Sequence, residues 1–410
     1  MKTVKFYTLG CKVNQYDTQS IRESFIQAGF KELEDSQPAN VYVINTCTVT
    51  HRADAESLGL IHKAKRENPK AKIIVTGCLT ELDEDKIREI NGISLIVKNK
   101  DKENILPTDQ TNRGISNFKG HTRAFLKIQD GCNNFCSYCK VPFVRGASRS
   151  KHLNEIVNEA NKLVGNGFKE IVLTGICLGA YGKDLKQKIN LINVIEELEN
   201  TDGLLRIRLS SIEMGDISDS LINKISQSEK LCKHLHIPLQ SGDGDILKKM
   251  NRRYSRRDYL KLIEKIKKLI PDIAITTDCL IGFPGESEYN FGNTLRLIKE
   301  IVPLKVHIFP YSARNGTAAS NFKEILNPII IKERISRFKD IAFNCGSSYR
   351  SEFLNKKMDV LIEARAKEDE EYWQGYTGNY IKVRIKSELC LKNKLIPLQL
   401  KKLHLHPICC

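Results

Sequence analysis

The sequence predicts an α/β protein in three parts: an N-terminal parallel α/β domain, a central partial TIM-like barrel, and a small C-terminal antiparallel β-barrel. Three observations predict it. Short apolar runs alternate with helical spacing through the first hundred residues, the pattern of βα units that pair in parallel. The same alternation resumes near residue 123 and continues for five or six units, enough for a full or partial barrel. From about Ser351 it gives way to short strands separated by polar turns, as in a barrel of the oligonucleotide-binding type. The expected domains are residues 1–115, 116–350 and 351–410.

Element by element, Val4–Leu9 is a strand that ends at Gly10-Cys11. Asp17–Ala28 carries Ile21, Phe25 and Ile26 at helical spacing, with Gly29 as a stop. Val41–Ile44 is a strand ending at Asn45-Thr46-Cys47. Ala53–Arg66 is a helix closed by Asn68-Pro69, and Lys72–Thr76 is a strand ending at Gly77-Cys78. Ligands of parallel sheets gather at the carboxyl ends of the strands, so Cys11, Cys47 and Cys78 are expected to converge. The polar stretch Lys98–Lys119, with Pro107 and Gly114, reads as a linker. Arg123–Gln129 is a strand that runs into a cysteine-rich loop. Ile171–Leu173, Leu205–Leu209, Leu235–Ile237, Ile273–Thr276 and Lys305–Phe309 are strands with amphipathic helices between them. Met358–Ala364, Tyr372–Thr377, Asn379–Ile385 and Lys394–Lys402 form the last, antiparallel group.

Composition narrows the class. With 41% hydrophobic and 28% charged residues, the 410-residue chain is neither collagen, low-complexity sequence nor a coiled-coil rod. No apolar run reaches the roughly 18 residues of a membrane helix, and the N-terminus lacks a secretory pattern. A cytoplasmic protein with no membrane partner is expected. In a reducing compartment its 13 cysteines read as metal ligands, catalytic thiols or small core residues rather than disulfides. The net charge of +16 suits a nucleic-acid partner, or is a generic basic surface.

The sharpest motif is Cys132-x3-Cys136-x2-Cys139, on one loop after a strand. Three thiolates there can grip three irons of a 4Fe-4S cube and leave the fourth iron open. Ferredoxin runs differ in spacing and supply a fourth cysteine. Structural zinc sites also take four ligands, and the next cysteine, Cys177, lies in another βα unit. A zinc loop in a non-catalytic RNA-binding protein is the competing interpretation.

This loop resembles that of the radical S-adenosylmethionine (SAM) superfamily, in which SAM chelates the open iron and is cleaved to a 5′-deoxyadenosyl radical. The resemblance extends to nearly the whole chain. Cys11, Cys47 and Cys78 resemble the second cluster's ligands in methylthiotransferases, and the C-terminal unit resembles their TRAM RNA-binding domain. Leu9–Asp17, Asn45–Thr50 and Gly131–Cys136, with Gly375–Tyr380, look like the MtaB type. Lys12-Val13-Asn14 stands where the isopentenyl-adenosine (MiaB) type usually has Gln-Met-Asn and the ribosomal-protein (RimO) type Pro-Lys-Asn. The resemblance implies two 4Fe-4S clusters, two SAM molecules, and methylthiolation of carbon 2 of threonylcarbamoyl-adenosine next to the tRNA anticodon. Methylthiolation of isopentenyl-adenosine is the closest rival. The resemblance also implies an electron donor such as flavodoxin or ferredoxin, and a sulfur source.

The remaining SAM contacts are expected at successive strand ends. By resemblance Gly175 meets the methionine amine. Ser210 and Glu213 could bond ribose hydroxyls, Gln240 follows another strand, and Gly282 could wall the adenine. Cys177 stands where a His is more usual, and Met214 where a Pro is. The cationic run Lys248–Arg257 is either a solvated face or a phosphate contact, and Arg145, Arg149 and Lys151 lie just after the cluster loop. Tyr372, Trp373, Tyr376 and Tyr380, beside Lys382, Arg384 and Lys386, either stack on bases or pack a small core. The tail His404–Cys410 is read as a frayed end.

Overall fold

The computed structural model describes residues 1–34, 37–106, 114–367, 369–403 and 408–409. Pro107, His404, Leu405, His406, Pro407 and Cys410 lie outside the described residues.

The first domain is a five-stranded parallel sheet in the order Lys31–Glu32, Thr3–Thr8, Val41–Thr46, Lys72–Gly77, Ile93–Val97. Val41–Thr46 is buried along its whole length, as a central strand covered on both faces must be. One face packs Tyr42, Ile44, Ile61, Ile73 and Val75; the other packs Val4, Ile21, Phe25 and Val43. The first helix begins at Lys12, five residues earlier than its apolar spacing indicated. Asn14 explains the difference: its amide donates to the Leu9 and Thr46 carbonyls, tying the polar first turn to the strand ends. The second helix, His51–Glu67, is capped by Thr50, whose hydroxyl accepts from the Ala53 N–H.

Lys98–Lys119 is not a free linker. A 3-10 helix, Asn99–Asn104, carries Lys102 onto Asp17. Farther on, the Glu23 carboxylate accepts from the Ser116 and Asn117 backbone N–H groups.

The central domain curls six parallel strands into an open half-barrel: Arg123–Lys127, Glu170–Thr174, Arg206–Leu209, His234–His236, Ala274–Ile281 and Lys305–Pro310. Its two three-stranded halves are joined by parallel bridges at Ile207 with Leu231 and Ser211 with His236. A large aliphatic core joins these strands to the surrounding helices. A 24-residue helix, Pro328–Ser351, packs over the last strand and leads out of the barrel. Among the described residues, no helix is long and apolar enough to cross a membrane.

The C-terminal strands Lys357–Ala366, Asp369–Thr377, Lys382–Lys386 and Leu395–Gln399 are antiparallel. Asn379-Tyr380, expected to start a strand, forms the turn instead; Tyr380 takes a left-handed φ of 67°. This sheet is docked on the barrel. Arg206 donates to the Tyr376 and Asp359 carbonyls and Arg208 to those of Thr377 and Gly378, while Ala274 and Leu304 enter its core.

Candidate active site

Two cysteine triads are built by different means. Cys11, Cys47 and Cys78 each follow a strand of the N-terminal sheet, and the three strands are neighbours. Register places Thr8 opposite Asn45 and Thr46 opposite Gly77, which brings the next residues side by side. Close approach demands glycine before two of them. A Cβ on Gly10 would lie 2.9 Å from Cys47 Sγ, and one on Gly77 would lie 2.3 Å from the Thr46 carbonyl oxygen. Cys11 is exposed, whereas Cys47 and Cys78 are buried. Burial pushes the Cys47 thiol up to about 11, and the neighbouring Cys78 and Cys11 push the same way.

Cys132, Cys136 and Cys139 sit on a loop held from several directions. The Cys132 N–H donates to the Gly146 carbonyl, and the Ser137 N–H and hydroxyl donate to the Met250 and Lys249 carbonyls. Gly131 has φ +74°, and a Cβ there would meet the Ala147 carbonyl oxygen at 2.0 Å. Cys177 lies against this loop, and its hydrogen bond with Cys132 draws the Cys132 thiol down to about 7. Burial pushes Cys139 up to about 12. A metal held by these thiols would take the place of their protons.

The openness of the triads tests what they can hold. Tetrahedral zinc, with Zn–S near 2.3 Å, sets its sulfurs about 3.8 Å apart. Among the described residues, the group whose ligand atoms come within 4.8 Å of one another is His236, Asp278 and His307; neither cysteine triad is drawn that tight. Open triads of thiols suit a cluster with several irons.

Between the triads lies a buried ionic network that sequence reasoning missed. Asp17, from the first helix, meets Lys102 at 2.9 Å, Arg145 at 3.4 Å, and Lys127 of the first barrel strand. Arg145 also meets Asp130, two residues before Cys132, at 2.9 Å. Burial opposes the charge on Asp17, but the three cations overcome it and hold the carboxyl well below its usual range. Arg145 and Lys151, which the sequence placed near the chemistry as cations, are spent on structure: Lys151 meets Glu159 at 2.5 Å.

Gly175 abuts Gln129, whose amide in turn holds the Cys177 N–H and the Gly131 carbonyl. Ser210 is buried, and its hydroxyl has no hydrogen-bond partner among the described residues. An orphaned hydroxyl at a strand end beside Thr174 fits a ligand that supplies the missing bond. Glu213 is gripped by Arg252, with Nη2 to Oε2 at 2.6 Å and Nη1 to Oε1 at 3.1 Å. Burial still pushes the Glu213 carboxyl up against that pull. Arg252 also lies 3.4 Å from Cys136 Sγ, so this member of the basic run belongs to the site and not to the solvent face. Gln240 holds a left-handed φ of 67°, fixed by bonds to the strand containing Asp278 and Leu280. Gly282 faces the long helix: a Cβ would meet Ile331 at 2.6 Å, and its N–H is taken by Glu286. Tyr138 also escaped the sequence reading. It lies between Cys136 and Cys139, and its ring packs edge-on to Phe283.

Three aromatic residues of the C-terminal sheet meet cations of the chain itself. Tyr376 and Tyr380 stack at 5.0 Å and cover Arg123 and Arg208 of the barrel. Trp373 is buried and lies under Arg365 at 4.4 Å. Their cation partners are intramolecular, because a small sheet needs large side chains to seal it on the barrel.

Residues 3–98 match the uncharacterized protein family UPF0004, and residues 126–298 match the radical SAM superfamily. The chain is 39% identical to the threonylcarbamoyladenosine tRNA methylthiotransferase MtaB of Bacillus subtilis (strain 168), covering 98% of this chain and 94% of that one. It is 35% identical to the enzyme of the same name from Thermotoga maritima, covering 88% and 87%. It is also 35% identical to the tRNA-2-methylthio-N(6)-dimethylallyladenosine synthase of Clostridium botulinum (strain Loch Maree), covering 90% and 88%. Among solved structures, the radical SAM methyltransferase TsrM of Kitasatospora setae superposes with TM-score 0.54 at 13% identity, covering 76% of this chain and 75% of that one. That likeness concerns the fold. The chain belongs to the radical SAM methylthiotransferase family, in its MtaB branch, and is a transferase.

Proposed function

We propose that the protein transfers a methylthio group to carbon 2 of threonylcarbamoyl-adenosine next to the anticodon of tRNA, using two 4Fe-4S clusters and two SAM molecules. The observation that carries this reading is the pair of open cysteine triads braced against each other through Asp17, Arg145 and Asp130. A second triad has no use in a plain radical SAM protein. Identity to the threonylcarbamoyl-adenosine enzymes over nearly the full chain supports the substrate.

In this reading Cys132, Cys136 and Cys139 hold one cluster and Cys11, Cys47 and Cys78 the other. When bound, the clusters and SAM supply a radical able to activate a C–H bond that has no acidic proton and no leaving group. The chain's own residues position. Arg252 fixes Glu213, which with Ser210 takes the ribose hydroxyls of SAM. Gly175 leaves room for its methionine end, and Gln240 and Gly282 belong to the loops around the adenine. Domains 1–115, 116–350 and 351–410 divide the labour into sulfur-bearing cluster, radical chemistry and RNA contact. A low-potential donor such as flavodoxin or ferredoxin, a sulfur source and a cytoplasmic location complete the proposal.

Nucleoside mass spectrometry of tRNA from a deletion strain tests it. Loss of methylthio-threonylcarbamoyl-adenosine is expected. Loss of methylthio-isopentenyl-adenosine instead would transfer the protein to the rival substrate.

A further inference from the structure

Lys12 follows Cys11 directly and opens the first helix. The other cations near the triads are mostly spoken for: Lys102 and Lys127 by Asp17, Arg145 by Asp130, Arg252 by Glu213, and Arg314 by Asp54. Lys12 is exposed, and among the described residues its ammonium meets no carboxylate. It lies 6.0 Å from the ring of Phe125, on the first barrel strand. That strand is an edge of its three-stranded sheet, so the ammonium stands at the open side of the half-barrel.

The barrel wall behind it is polar. His236 Nε2 lies 3.1 Å from Asp278 Oδ2, and His236 Nδ1 lies 2.9 Å from Thr276 Oγ1. His307 completes this group, with ligand atoms within 4.8 Å. The group could suit a cation by spacing alone. Asp278 is already engaged by His236, however, whereas the Lys12 ammonium has no carboxylate partner among the described residues and is free to take an anion.

A threonylcarbamoyl substituent differs from an isopentenyl one in carrying a carboxylate and several hydrogen-bonding groups. We propose that Lys12 pairs with the threonyl carboxylate of the substrate and so selects threonylcarbamoyl- over alkyl-substituted adenosine. The proposal rests on the substrate reading above and assigns it to a residue.

The test uses anticodon stem-loop RNAs carrying threonylcarbamoyl-adenosine, its threonine carboxamide, or isopentenyl-adenosine. Reconstituted wild type, Lys12→Met and Lys12→Arg are compared by kcat/KM for methylthio product. The same ratios read in RNA binding cover a variant too slow to assay. A charge-assisted bond of this kind gives the wild type about a 10- to 100-fold preference for acid over amide. Lys12→Met is expected to collapse that preference to near one, and Lys12→Arg to restore most of it. A preference that persists in Lys12→Met overturns the proposal. So does a wild type that turns over the threonylcarbamoyl RNA yet treats acid and amide alike, which leaves the substrate reading standing. Wild-type activity on the isopentenyl RNA alone overturns both.

Discussion

Replacing Asp17 by Asn is expected to unsettle the junction between the two cysteine triads. Asp17 is 5% exposed and is met by Lys102 at 2.9 Å, Arg145 at 3.4 Å, and Lys127. Asparagine keeps the volume but leaves buried Lys102 without a carboxylate among the described residues, while Arg145 and Lys127 keep only Asp130, at 2.9 and 3.5 Å. Removing one partner from a buried ion pair costs about 3–5 kcal/mol, chiefly because the opposite charge is left uncompensated. For a domain of 150–250 residues, each kcal/mol moves the Tm by about 2–4 °C, so a fall of roughly 6–20 °C is expected. Differential scanning calorimetry of the wild type, Asp17→Asn and Asp17→Asn/Lys102→Met measures it. The double variant is expected to recover part of the loss, because one stranded cation leaves with its partner. Acid offers an independent reading. The folded carboxyl is held below its unfolded value, so its stabilisation is complete above about pH 5 and drains away as pH falls. The pH dependence of Tm below 5 should therefore flatten in Asp17→Asn. A loss under about 1 kcal/mol, or an unchanged acid slope, would refute the assignment of Asp17 as the keystone of that junction.

Three further outcomes are expected. The Cys11→Ala/Cys47→Ala/Cys78→Ala variant should bind about half the wild-type iron and form no methylthio product, yet still release 5′-deoxyadenosine slowly; full iron content would remove the second cluster. Gly131→Ala forces a Cβ to 2.0 Å from the Ala147 carbonyl in a left-handed backbone, so the reconstituted variant should lose the radical-cluster absorbance and SAM cleavage, and retention of both would disprove the strain. Arg252→Met strands the Glu213 carboxylate and should weaken SAM binding by about 10- to 100-fold, whereas equal affinity in equilibrium dialysis would detach Glu213 from the ribose.

Much of the fold was legible in local pattern. Strands ending in Cys11, Cys47 and Cys78 follow from apolar runs stopped by polar residues and glycine, and period-2 and period-3.6 spacing separate strand from helix without tertiary knowledge. The Cys132–Cys139 loop is legible too, since its spacing is local and its chemistry depends on few residues. Chain order alone also implied the half-barrel. The start of the first helix was not legible: Lys12–Tyr16 has a polar start that only the bonds of Asn14 to two strand ends make helical.

What the sequence could not yield were the partners of charges. Nothing local to Lys102, Lys127 or Arg145 says that a single aspartate 85, 110 or 128 positions away awaits them. Arg252, in a run that the sequence leaves between a solvated face and a phosphate contact, is folded by the barrel onto Glu213. Tyr376 and Tyr380, which the sequence leaves between base stacking and core packing, are laid by the C-terminal sheet over Arg123 and Arg208. Apolar burial leaves a periodic trace in the chain, because one element must present one face. A buried ion pair needs only two side chains brought together from anywhere, so its partner is chosen by tertiary packing and leaves no trace in the order of residues.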